Sequence, residues 1–161
     1  GDDAVQLNAT DMQEQLEKTA MLLSGEFVAM AHRAGRDAFI LTNRRVMYID
    51  VKGWTGNRIN YLSVPYSSLR ALSVESAGSW DRDTELTLHI KNYWNMQTLT
   101  QDFRAKKTDI MAIQKYIAAQ MFATDDGTSG LGAEDAELVP EYPSYESDST
   151  GFFAWIGDDY H

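Results

Sequence analysis

From Ala38 to Lys91 the apolar residues come in short bursts separated by turn residues, and none of these bursts repeats at helical spacing. Phe39-Ile-Leu gives way to the turn-like Thr42-Asn-Arg, then come Val46 to Val51 and the turn Lys52-Gly-Trp-Thr-Gly-Asn. Ile59 to Tyr66, Leu69 to Glu75 and Glu85 to Ile90 follow. Bursts this short, spaced by roughly 8–12 residues, predict an antiparallel sheet that curls into a barrel or sandwich. Leu86, Leu88 and Ile90 alternate with Glu85, Thr87, His89 and Lys91, so this strand has one buried and one wet face. Between Ile59-Tyr61 and Leu62-Val64 the apolar parity slips, which predicts a β-bulge near Tyr61. Pro65 marks that strand as ending there or lying on an edge.

Helical spacing appears only at the two ends of this series. Met12, Leu16, Ala20 and Leu23 share one face of a helix over Asn8 to Ser24, with Thr10 as its cap and Gly25 as its stop. Glu26 to Arg33 reads as the first strand, with Gly35 in the turn after it. Met96 to Arg104 reads as the seventh, after a turn at Asn92 to Asn95. From Ala105 to Ala123 the stripe Ile110, Ile113, Ile117 and Met121 predicts a second helix, capped by Thr108 with Asp109 at its positive end. Such a helix is suited to plug the open end of a curled sheet.

Charge divides the chain in two. Residues 1–124 hold 14 acidic residues and all 14 Lys and Arg, whereas residues 125–161 hold 10 acidic residues and no Lys or Arg. The net charge of −10 therefore belongs to the C-terminal segment, which disfavours nucleic acid and anionic membrane as partners. Gly127, Gly130, Gly132, Pro140 and Pro143 break regular structure there, and the segment ends on Phe152-Phe-Ala-Trp-Ile. The expected organisation is an N-terminal helical segment (1–24), a barrel with its helix (25–123) and an acidic tail (124–161). No apolar run reaches the ~20 residues of a membrane helix. The absence of cysteine excludes disulfides, thiol nucleophiles and Cys-type zinc sites. Gly1 fits a trimmed chain or a mature form, in the cytoplasm or an organelle.

The stretch Phe39 to Ile90, taken with the second helix, resembles the bacterial pleckstrin-homology (PH) domain family. The residues that carry the likeness are Thr42-Asn-Arg-Arg, Ile49-Asp50 with Gly53-Trp-Thr-Gly, and Tyr61-Leu-Ser-Val-Pro-Tyr with Ser68 and Leu69. Ser73-Val-Glu-Ser-Ala-Gly, Asp81-Arg-Asp-Thr-Glu-Leu and Lys107-Thr-Asp-Ile complete it. The resemblance implies a mainly β fold: a seven-stranded, antiparallel, partly open barrel capped by a C-terminal helix and preceded here by an N-terminal one. It also implies no enzymatic activity, no cofactor and a tendency to symmetric self-assembly. The acidic tail lies outside the family pattern.

Few residues suggest chemistry. Asp81, Asp83 and Glu85 alternate on one strand face, but they lack the glycine and distal glutamate of a calcium loop and read as a solvated strand entry. His32, His89 and His161 lie far apart, with no serine or acid spaced for a triad, and read as surface residues. Gly127-Thr-Ser-Gly-Leu-Gly lacks the Gly-Lys-Ser/Thr ending of a phosphate loop and reads as a linker. No catalytic, metal or cofactor residue is expected.

Two groups remain as binding candidates. Arg33, Arg36, Arg44 and Arg45, with Lys52 and Arg58, gather around the early turns. They suit an anionic headgroup, ordinary surface charge, or the acidic tail of a neighbouring copy. Phe152, Phe153, Trp155 and Ile156, with Tyr142 and Tyr145 as secondary anchors, suit burial against their own barrel, another copy or a different protein. Burying each Phe or Ile is worth ~1.5–3 kcal/mol. The expectation is a non-catalytic protein-binding or scaffold module whose partners are other protein subunits, of the same or a different chain. The alternative is a peripheral anionic-lipid-binding domain.

Overall fold

Asn8, not Thr10, starts the first helix. Its side chain accepts the Asp11 N–H at 3.0 Å from an extended backbone, and α1 runs Ala9–Lys18. A computed structural model describes residues 3–75, 83–91, 97–104 and 106–125 of the chain. The helix stops at Thr19 rather than Gly25, because Ala20 turns left-handed at φ 56°. The Ala20 N–H then donates to Glu17 O, closing the last turn. Met12 and Leu16 are buried as their spacing requires, but Leu23, beyond the stop, is exposed.

Eight strands follow the chain among the described residues, one more than expected. Strands β1 (Val5–Leu7), β2 (Val28–Ala34), β3 (Asp37–Thr42), β4 (Arg45–Lys52) and β5 (Arg58–Pro65) form an antiparallel sheet in that order. A 3-10 turn at Tyr66–Ser68 makes the corner into a second antiparallel sheet, β6 (Leu69–Glu75), β7 (Thr84–Ile90) and β8 (Gln97–Phe103). The added strand is β1, which pairs with Ala31 to Arg33. Ala4, just ahead of it, joins the two sheets. Its N–H donates to Asp102 O at 2.7 Å, and its carbonyl accepts from the Arg104 N–H at 3.0 Å and the Thr108 hydroxyl at 3.2 Å. Thr108 is thus spent on the seam. Asp109 caps the closing helix α2 (Ile110–Asp125) instead, accepting from the Ala112 N–H at 3.0 Å.

Both faces of the five-stranded sheet are covered. On the inner face Met30, Phe39, Leu41, Val46 and Val64 pack with Leu86, Leu88 and Phe103 and with Ile110, Ile113, Tyr116, Ile117 and Met121 of α2. On the outer face Met12 and Leu16 of α1 pack with Ala31, Ile40, Met47 and Ile49. This double cover explains the parity along β5. Ile59 and Tyr61 join the outer cluster, while Leu62 and Val64 join the inner one. The register from Arg45↔Pro65 to Lys52↔Arg58 is unbroken, so Tyr61 is not bulged. The shifts lie at Val28/Met30 and Leu69/Ala71. Pro65 does end β5, a strand that among the described residues pairs with β4 alone. The expected turn at Asn92 to Asn95 lies outside the described residues.

Candidate functional site

The early basic residues do not converge. Gly35 and Arg36 turn the chain between β2 and β3, whereas Asn43 and Arg44 turn it between β3 and β4, at the opposite end of β3. At the first end Arg33 Nε donates to Gly35 O at 2.8 Å, and Arg36 Nη1 donates to Gly53 O at 3.1 Å. This ties the β2–β3 turn to the β4–β5 turn. Gly53 and Gly56 hold the latter at φ 87° and 69°, and Trp54 at its tip is 100% exposed. Lys52, 3.3 Å from Asp50, and the exposed Arg58 flank it. Trp54 entered the sequence reading only as part of a turn, although a tryptophan between two turn glycines has little of its own chain to pack against.

At the second end Arg44 is exposed, but Arg45 is wholly engaged. Its Nε and Nη2 donate to Glu26 Oε2 and Oε1 at 2.9 and 2.8 Å, its Nη2 also to Met21 O at 2.7 Å, and its Nη1 to Ser63 Oγ at 3.0 Å. Burial alone would push the Glu26 carboxyl up. Hydrogen bonds from Arg45, the Leu23 N–H and the Thr42 hydroxyl, with the charge of Arg45, outweigh it and hold the carboxyl below its ordinary range. Asn43 completes the knot, accepting from the Phe27 N–H at 2.9 Å and donating to Gly25 O at 3.1 Å. Tyr66 OH donates to Thr42 O at 2.6 Å. Thr42-Asn-Arg-Arg therefore fastens the segment between α1 and β2 to the sheet corner.

His32 is not a surface residue. It is fully buried, with the ring of Phe103 edge-on at 5.3 Å and that of Phe39 at 6.0 Å. Its Nδ1 lies 3.3 Å from Phe39 O, and burial pushes its pKa down to about 4, so the ring is neutral near pH 7. His89 is half-buried on the polar side of β7. Among the described residues no group of three His, Cys, Asp or Glu could hold a metal ion. Asp83 and Glu85 are described, but Asp81 is not. The Asp3 carboxyl is pushed up by burial and by the neighbouring Asp83 and Asp102. His161, the glycine-rich 127–132 stretch and the expected anchors Tyr142, Tyr145, Phe152, Phe153, Trp155 and Ile156 all lie outside the described residues.

Two further surfaces are present. Strands β5 and β6 each pair on one side only among the described residues, leaving backbone donors and acceptors on two sheet edges. Helix α2 is apolar on its outward side as well as its inward one: Met111 is 61% and Phe122 60% exposed. Lys115 is exposed between them, with Ala118 and Ala119 half-exposed. Positions 111, 115, 118 and 122 fall on one stripe. The inward stripe alone was read from the sequence, yet Met111 and Phe122 lie off it and are exposed. Among the described residues no helix is long and apolar enough to cross a membrane.

Comparison with known proteins gives a consistent picture. The family model for "Bacterial PH domain" matches residues 2–121. The chain is 35% identical over 117 residues to the uncharacterized protein YjqA of Bacillus subtilis, covering 73% of this chain and 90% of YjqA. Among solved structures it is similar to a DUF1696 family protein with a pleckstrin-homology domain from Shewanella loihica. The TM-score is 0.65, identity 36%, and coverage 75% of this chain and 99% of the other. A pleckstrin homology domain from Shewanella amazonensis gives a TM-score of 0.56 and 31% identity, with 71% and 89% covered.

Proposed function

The chain belongs to the bacterial PH domain family, and on that premise we propose that it is a non-catalytic protein-binding and scaffold module. It self-associates or docks into a larger protein assembly through its barrel surfaces and C-terminal tail. The observation that carries this reading is the apolar surface left over on a body whose own cores are closed. Trp54, Met111 and Phe122 stand out from a fold in which both clusters are filled. Uncovered aromatics and methionine are characteristic of interface centres. The tail adds Phe152, Phe153, Trp155 and Ile156, with eight of its ten acidic residues before them and two after. In this mechanism the acidic residues steer and fix register while the aromatics anchor. His32 is buried beside the rings of Phe39 and Phe103, which supports a packing role for it.

The test is capture and mass in solution. The full chain should elute above the 18.1 kDa of one copy, or retain a protein partner, and the Phe152/Phe153/Trp155→Ala variant should lose both. Identical behaviour of the two proteins would remove the tail from the mechanism.

A second reading, peripheral binding to anionic lipid, is favoured by one observation: Trp54 projects beside Arg36, Lys52 and Arg58. An indole at a basic tip suits a membrane interface. Co-sedimentation with phosphatidylserine vesicles, lost in Trp54→Ala and in Arg33→Glu/Arg36→Glu, would support it over the scaffold reading.

A further inference from the structure

Like charges stand directly opposite one another at two places in the described strands, and the two places have opposite sign. We propose that they are the halves of one contact, in which the basic β4–β5 tip of one copy docks on the acidic outer face of the β6–β8 sheet of a second copy. The contact rests on the scaffold reading and names the surfaces which that reading leaves open.

The acidic half is a row across three strands. Glu75 pairs in register with Glu85, and Glu85 with Asp102. With strands about 5 Å apart, the three residues lie within about 10 Å. Val74 and Leu86, next along β6 and β7, turn to the inner cluster, so the row lies on the outer face. Asp83 precedes it, and Asp3 lies close enough to feel the charges of Asp83 and Asp102. Ser73, Thr87 and Thr100 form the next rung on that face, a flat polar floor beside the carboxylates. Like charges in direct register destabilise a sheet. None of Glu75, Glu85 and Asp102 has an ion pair among the described residues to offset this. Such local conflicts concentrate at functional surfaces.

The basic half is the tip. Lys52 pairs in register with Arg58, and Arg36 is held beside them by its 3.1 Å hydrogen bond to Gly53 O. Lys52 has Asp50 at 3.3 Å, but Arg58 has no ion pair among the described residues. Trp54 stands between Lys52 and Arg58 in the turn, wholly exposed. The tip therefore offers three cations around one indole, and the sheet offers three carboxylates beside a flat floor.

A second copy is the occupant because tip and row are complementary and cannot satisfy each other within one chain. Both are held in place by strand pairing, and no ion pair joins them among the described residues. Opposite potentials select the pairing and fix its register. Exposed ion pairs add little on their own, so the ring of Trp54 supplies the contact area. Each copy has one tip and one row, so the contact runs head to tail and closes as a ring or continues as a filament.

Full-length chains with opposite charge reversals test the pairing. Arg58→Glu sets an acidic tip against acidic rows, and Glu85→Lys sets a basic row against basic tips. Each variant alone should self-associate only at about tenfold higher concentration or more, because like charges are brought together. Mixed one to one, every contact regains opposite charges, and association should return towards wild type. Neither variant should melt below wild type, since Arg58 is exposed and Glu85→Lys removes repulsion within the sheet. The charge reversals should act most strongly at low salt, and Trp54→Ala should weaken association at every salt concentration. A mixture that associates no better than its components overturns the proposal. If Phe152/Phe153/Trp155→Ala weakens association and neither reversal does, the contact is refuted while the scaffold reading stands. If none of these variants changes the mass in solution, both fall. Loss of phosphatidylserine-vesicle binding in Trp54→Ala, with association intact, gives the tip to the membrane and also overturns the contact.

Discussion

Arg45 and Glu26 meet edge to edge, Nε to Oε2 at 2.9 Å and Nη2 to Oε1 at 2.8 Å, with no part of the glutamate side chain open to solvent. The pair joins the chain just after α1 to the β3–β4 turn. Removing one partner strands a buried charge, which typically costs about 3–5 kcal/mol. Arg45→Ala should therefore destabilise strongly, and Glu26→Gln by a smaller amount, since the amide still accepts one hydrogen bond. Urea denaturation at pH 7 measures both. Because the Glu26 carboxyl is held below its ordinary value, its contribution is complete above about pH 4.5 and fades as pH falls through the folded value. The Glu26→Gln protein should lack that part of the acid dependence.

His32 gives a second pH signature, in a higher window. Its folded pKa of about 4 lies below the ordinary 6.5. Between those values the unfolded chain binds a proton that the folded chain refuses. Stability should fall as pH drops from 6.5 towards 4, at about 1.4 kcal/mol per pH unit and about 3 kcal/mol in total. The slope of unfolding free energy against pH reports this directly. His32→Leu should flatten the curve in that window whatever it does to absolute stability.

Ala20 holds a left-handed backbone at φ 56°, a conformation that costs an L-residue roughly 1 kcal/mol and glycine almost nothing. Its side chain is exposed, so nothing packed is lost on removing it. Ala20→Gly should accordingly be neutral to stabilising by about 1 kcal/mol in a thermal melt. A clear loss would mean that the turn after α1 is not held as described.

Strong periodicity was legible in the sequence, and long-range partnership was not. Leu86, Leu88 and Leu16, Met12, like the α2 stripe from Ile110 to Met121, are buried where their spacing places them, because one residue's face follows from its neighbours'. Strand β1 escaped notice: three residues carry no period, and the partner of Val5, Arg33, lies 28 positions away. The parity slip in β5 was visible but misattributed, since alternation cannot say whether a second face is wet or covered by α1. Arg45 looked like one of several surface arginines, for nothing local announces that Glu26, 19 residues earlier, returns to meet it. His32 was misread for the same reason, its burial being made by Phe39 and Phe103 from other strands. Of the binding surfaces, the aromatic end of the tail was visible from composition alone. The outward face of α2 and the Trp54 tip show only in the folded chain, where Met111, Phe122 and Trp54 are exposed.

The central claim is that this fold works by holding other protein subunits, and its mass in solution tests that most directly. Sedimentation equilibrium of the full chain, across a range of concentrations and beside the Phe152/Phe153/Trp155→Ala protein, should resolve a discrete multiple of 18.1 kDa that the variant fails to form. A wild-type chain that stays a single copy at every concentration, and brings down no other protein, would contradict the account.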